Sequence, residues 1–156
     1  MNRFAAMFTA MALLASVSTE AQTLVITRGG SRAVSPAAAE HFTGSVRVEA
    51  LFEALDPSHA SGGSVTFEPG ARTAWHSHPR GQILIVTAGT GRVQGWGGPV
   101  EEIRTGDVVR IPAGQKHWHG AAPDHVMSHL TVYEVPTEGP ESEWGDHVTD
   151  AEYAGD

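Results

Sequence analysis

From Val46 to Glu134 the chain reads as short runs of β-forming residues, each cut off by a turn signal, and this punctuation limits the possible folds more than any other feature. The runs are Val46–Leu51, Ser64–Glu68, Gln82–Thr87, Gly91–Trp96, Val108–Ile111 and Val126–Glu134. Breaks fall at Asp56-Pro57, Pro69-Gly70, Gly89, Gly97-Gly98-Pro99, Gly106 and Pro112-Ala113-Gly114. Glycine reaches the left-handed backbone that tight turns need, and proline cannot donate to a strand ladder. Many short strands at regular spacing predict an all-β sandwich or barrel. Outside this block, Leu24–Thr27 reads as another short strand. Ser35 before Pro36 predicts one helical turn through Glu40, and Thr149 or Asp150 can cap a short helix ending near Tyr153. A length of 156 residues suits one domain.

Charge and cysteine content remove several classes of function. The net charge is −8 with histidine neutral, and no clustered basic surface is visible, which argues against nucleic acid as a partner. The chain has no cysteine, so disulfides and thiolate metal sites are excluded, and any ion must be held by His, Gln, Asp or Glu. At the start, Arg3, the uncharged apolar run Phe4–Val17 and the small residues Thr19 and Ala21 form the pattern of a secretory signal peptide over residues 1–21. The expectation is therefore an exported protein, in a bacterial periplasm, with one domain over 22–156 and no membrane contact once the leader is removed.

Nine histidines are present, and their spacing matters more than their number. His76 and His78 are two apart, so on a strand both side chains project from the same face and can converge on one ion. Gln82 opens a run in which Leu84 and Val86 continue its own face. His117 follows the Pro112-Ala113-Gly114 turn. Three imidazoles and one oxygen donor suit a divalent transition metal, with room left for substrate or water. By the same period of two, His119 shares the inward face with His117 while Trp118 points away. His129 shares a face with Met127, Thr131 and Tyr133. An imidazole beside a metal but not bound to it makes a good acid or base near neutral pH. His41, His59, His125 and His147 have no such pairing and read as surface residues.

These stretches resemble the two conserved motifs of the cupins. Gly70, His76, His78, Gln82 and Gly89 fall at the spacing of the first motif, with glutamine where most cupins have glutamate. Gly106, Pro112, Gly114 and His117 match the second, with Ala121 in place of its usual closing asparagine. The resemblance implies a single-domain cupin, a double-stranded β-helix or jelly-roll barrel with short helical segments. A neutral donor at Gln82 would leave a divalent ion its full charge, sharpening it as a Lewis acid, and would move acid–base work to other residues.

Longer strings, among them Val65–His78, Gly81–Gly89, Lys116–Pro123 and Trp144–Tyr153, are similar to small bacterial cupins that include manganese-dependent hydroxynitrile lyases. That resemblance implies metal ligands His76, His78, Gln82 and His117 and catalytic roles for His119, His129 and Thr73, while the strand period of two makes Gly63, Val65 and Tyr133 the expected substrate-pocket lining. Tyr133 stands where those enzymes carry a different polar side chain. It also implies manganese, with Fe, Zn, Ni or Cu able to use the same donors, and a small-molecule substrate of the (R)-cyanohydrin type. A metal-dependent oxygenase and a non-catalytic small-molecule-binding cupin are the alternatives. Outward-facing Ile83 and Ile85 suit sheet-to-sheet pairing into a homodimer or homotetramer.

Overall fold

The computed structural model describes residues 23–156, and the signal-peptide expectation lies outside them. The strands in chain order are β1 (Val34–Pro36), β2 (Phe42–Thr43), β3 (Val46–Phe52), β4 (Ala60–Phe67), β5 (Arg72–Thr73), β6 (His76–Ser77) and β7 (Gln82–Gly95). They continue as β8 (Glu101–Arg104), β9 (Val108–Ile111), β10 (His117–Ala121), β11 (Met127–Glu134) and β12 (Glu143–Trp144), followed by helix α1 (Asp150–Ala154). The all-β expectation holds.

β7 organises the barrel because it belongs to two sheets. Its first half pairs with β11 and β9, in the sheet ordered β1-β3-β4-β11-β7-β9. Its second half pairs with β10 and β8, in a sheet that continues from β10 through β5 to β2. All pairings are antiparallel, and β6 joins the second sheet between β10 and β12. The expected break at Gly89 is therefore a bend within one 14-residue strand. The ladder to β11 slips by one residue between Ser128 and His129, a bulge that turns the strand from one sheet into the other. Gly89 has φ +78°, and a Cβ there would lie 1.8 Å from the Val126 carbonyl oxygen, so only glycine fits this corner.

Two other local expectations fail. Ser35 and Pro36 do not start a helix; Val34–Pro36 pairs with Glu49, Val48 and Arg47 of β3. Proline is tolerated there because β1 is an edge strand. Leu24–Thr27 pairs with nothing among the described residues, and Leu24, Val25 and Ile26 are exposed.

The strand alternation sorts side chains into two clusters. Val46, Val65, Phe67, Val86, Ile103 and Met127 fill the barrel interior. Trp118 points the other way, as its position between two inward residues requires, and packs with Trp75, Val148 and Tyr153 beneath α1. The helix begins as expected, with Thr149 and Glu152 forming a reciprocal capping box. The Tyr153 hydroxyl donates to the Ala121 carbonyl at 2.6 Å in a buried position. Tyr153→Phe would leave that carbonyl unpaired, and a loss of about 1–2 kcal/mol is expected in urea unfolding. Among the described residues, no helix is long and apolar enough to cross a membrane.

Candidate metal centre

β6, β7 and β10 bring the two histidine motifs together. His76 and His117 lie directly opposite each other in the β6–β10 ladder, with ring centroids 4.2 Å apart. His78 follows β6 on a short loop whose carbonyl stitches the motifs to each other. The His78 oxygen accepts from the Gly81 amide at 3.0 Å and from the Gly114 amide at 2.9 Å. A Cβ at Gly81 would stand 2.7 Å from the Ile111 carbonyl oxygen, so the loop needs glycine to come this close. The His78 ring lies 5.3 Å from His76 and 6.0 Å from His117.

The hydrogen bonds decide which ring nitrogen each histidine presents. His76 Nδ1 lies 3.0 Å from the Ala74 carbonyl, His78 Nδ1 2.9 Å from that of Glu141, and His117 Nδ1 2.8 Å from that of Gln115. A carbonyl oxygen can only accept, so in each ring Nδ1 carries the proton and, in the neutral ring, Nε2 carries the lone pair. Burial keeps the rings neutral. It lowers His76 well below the ordinary histidine value with help from His117, lowers His78, and brings His117 to about 4.

Gln82 completes the arrangement. Its Nε2 donates to Thr131 Oγ1 at 2.8 Å, which turns Oε1 toward His117 Nε2, 3.0 Å away. Neither of these facing atoms has a hydrogen to give, so the contact brings two lone pairs side by side. Donors about 2.1 Å from a common ion and at right angles to each other are separated by about 3.0 Å. The site therefore fits a divalent cation. The buried cluster whose donor atoms lie within 4.8 Å of one another is His76, His117 and His119. It shares two members with the expected ligand set and has His119 in the place of His78.

Above this centre lies a cavity of about 230 Å³, lined by His76, His78, Gln82, His119, His129, Thr73, Val65 and Tyr133 among others. Pockets for drug-sized ligands start near ~300 Å³, so the space suits a smaller molecule. His119 and His129 are buried, with rings 4.9 Å apart, and none of their four ring nitrogens has a hydrogen-bond partner. Phe67, fully buried, packs against both rings. Burial holds His119 well below its ordinary value, reinforced by the neighbouring His129, His76 and His117, and brings His129 to about 4. Thr73 Oγ1 accepts from the His119 amide at 3.2 Å. Its hydroxyl therefore anchors the base of His119.

Most of the expected site residues line this cavity, His117 excepted. Gly63 does not line this cavity; it borders an adjacent one of about 360 Å³ that shares Val48, Thr131, Tyr133 and Glu141 with it. Tyr133 stacks on His78 at 5.2 Å, on the wall common to both. Phe42, Trp144 and Glu141 also line the metal cavity and had no motif to announce them. Trp144 stacks on His76 at 4.6 Å and on His41 at 4.2 Å, so His41 is part of the outer wall of the site and not a plain surface residue. His59, His125 and His147 are exposed as expected.

Neutral burial has a consequence for stability. An unfolded histidine titrates near ~6.5, while His117 and His129 do so at about 4 in the fold. Between these values the unfolded chain binds more protons, so the stabilisation is complete above ~6.5 and is lost as pH falls toward 4. For His129, which is 0% exposed, the loss is on the order of 3 kcal/mol. The urea midpoint of the metal-free protein is expected to fall across this window, with a shallower slope in His129→Gln. Equal slopes would contradict neutral burial of His129.

A barrel of two antiparallel sheets with an inward histidine centre is the architecture of a metal-site cupin. The cupin domain pattern matches residues 63–133, and the chain belongs to the cupin family. It is 56% identical over 128 residues to the (R)-mandelonitrile lyase of Granulicella tundricola, covering 82% of this chain and 97% of that protein. Among solved structures it is similar to a cupin-like protein from Thermotoga maritima, at 46% identity and a TM-score of 0.71, covering 76% of this chain and 90% of that one. A cupin-2 domain from Rhodospirillum rubrum shares the fold, at 20% identity and a TM-score of 0.64 over 83% of this chain and 84% of its own.

Proposed function

We propose that this protein is a metal-dependent cupin lyase that cleaves (R)-cyanohydrins such as mandelonitrile to an aldehyde and hydrogen cyanide. One observation carries the reading. Two buried imidazoles without partners, His119 and His129, face the same small cavity as His76, His78 and Gln82, in a chain 56% identical to an (R)-mandelonitrile lyase.

In this reading His76, His78, Gln82 and His117 would hold the ion, each histidine offering its Nε2 and Gln82 its amide oxygen. A bound divalent ion supplies Lewis-acid stabilisation of negative charge. His119, neutral through burial, accepts the hydroxyl proton of the cyanohydrin. As the O–H bond breaks, a C=O bond forms, and the bond to the nitrile carbon breaks with its electron pair leaving as cyanide. The proton then passes from the imidazole side to cyanide, giving hydrogen cyanide, with His129 orienting His119 or sharing the proton. Thr73 fixes the main chain of His119, and Val65, Phe42 and Trp144 supply apolar walls for an aryl group. Tyr133 borders the substrate at the side of His78. Manganese is the ion assigned in this reading. Pairing of copies through the half-buried outer face at Ile83 and Ile85, and export to the periplasm, complete the proposal.

The test is cyanide release from (R)-mandelonitrile by manganese-loaded protein with oxygen excluded. A lyase keeps its full rate without oxygen and loses it after chelation. A rate equal to the uncatalysed one would sink the proposal, and a rate that depends on oxygen would favour the oxygenase alternative.

A further inference from the structure

The proposed base is also a member of the densest histidine cluster. We propose that His119 is an alternative metal ligand: copper or zinc recruits it alongside His76 and His117, whereas manganese leaves it free.

The geometry gives His119 nearly the same claim on an ion as His78. Its ring centroid is 5.3 Å from His76 and 5.8 Å from His117, against 5.3 and 6.0 Å for His78. Its donor atom falls within 4.8 Å of those of His76 and His117, and that of His78 is not part of the cluster. The tethers differ as well. His76, His78 and His117 each commit Nδ1 to a carbonyl, so turning any of these rings breaks a hydrogen bond. Neither nitrogen of His119 is committed to anything, and only its main-chain amide is held, by Thr73. Its ring can rotate toward the ion without that loss. Phe67 and His129 bound the motion on the far side.

Ion chemistry decides which arrangement forms. Imidazole affinity rises along the series from manganese to copper and stays high for zinc, whereas manganese accepts oxygen donors and water readily. A fourth nitrogen within reach is therefore a strong attraction for copper or zinc and a weak one for manganese. Coordination rests on the cluster alone. Its effect on turnover rests on the lyase reading: an imidazole bound through its lone pair cannot accept a proton, so the copper and zinc forms hold metal and are inactive.

The experiment measures Mn²⁺, Zn²⁺ and Cu²⁺ affinity by chelator competition in wild type, His119→Ala and the bulkier His119→Gln. The electron paramagnetic resonance of the Cu²⁺ forms supplies a count of coupled nitrogens. Both variants are expected to bind Cu²⁺ and Zn²⁺ at least about tenfold more weakly, to keep Mn²⁺ affinity within about twofold, and to show one fewer nitrogen on copper. If Ala disturbs the fold, Gln preserves the volume and the comparison. An unchanged nitrogen count, or equal weakening of all three ions, would overturn the proposal. No cyanohydrin enters these measurements, so failure of the lyase reading leaves their outcome unaffected.

Discussion

His119→Ala in the manganese-loaded protein is expected to lower kcat for mandelonitrile cleavage by about 10²–10⁴-fold, the usual contribution of a positioned general base. The manganese content should stay at the wild-type level. Burial excludes a charged ring at neutral pH, so the imidazole is ready to accept a proton, and both its nitrogens are without partners. His129, 4.9 Å away on β11, lacks the main-chain anchor from Thr73 and is not part of the close cluster that His119 forms with His76 and His117. Its replacement should therefore cost less than that of His119. The two measurements to compare are kcat and bound manganese. If activity falls only in proportion to lost metal, His119 is acting as a ligand and not as the base.

The other large effect is expected at His117. His117→Ala removes the imidazole opposite His76 in the ladder and leaves Gln82 Oε1 without the atom it faces. Changes to groups that merely orient ligands cost about 10–100-fold in affinity, so loss of a ligand itself should exceed about 100-fold. Activity should then drop to the level of chelated protein. The circular dichroism of the apo variant should remain that of a β protein, because the His117 main chain stays in the β10 ladder. Full metal content in this variant would contradict the ligand assignment.

The barrel and the histidine centre were largely legible because both depend on short-range pattern. A period of two put His119 on the inner side of β10 and Trp118 on the other, whereas His78 lies past the end of β6 and reaches the cavity from a loop. The helix at Thr149 was readable from a four-residue cap. What could not be read depends on contacts between segments distant in the chain. Gly89 carries the same signal whether it ends a strand or bends one, and only the approach of Val126 makes it a corner. Pro36 begins helices and tolerates edge strands, and β3 decided between them. Trp144, Glu141 and Phe42 reach the site from β12, from the loop before it and from β2, with no spacing rule to link them to the motif histidines. His41 looked isolated because its partner, Trp144, is on the opposite end of the sequence.

The three tethered imidazoles have an implication for how the protein is made. Each ring is oriented by a main-chain carbonyl, and the two motif loops are sewn together at the His78 oxygen, so the polypeptide fixes the direction of these rings without an ion, although the His78 donor stands outside the close cluster of His76, His117 and His119. An ion bound there would add stability by mass action, about 2.7 kcal/mol at a free concentration one hundred times its Kd. A ready-made socket also takes what its surroundings offer. Which metal such a site takes would then depend on the compartment in which folding ends as well as on its donors.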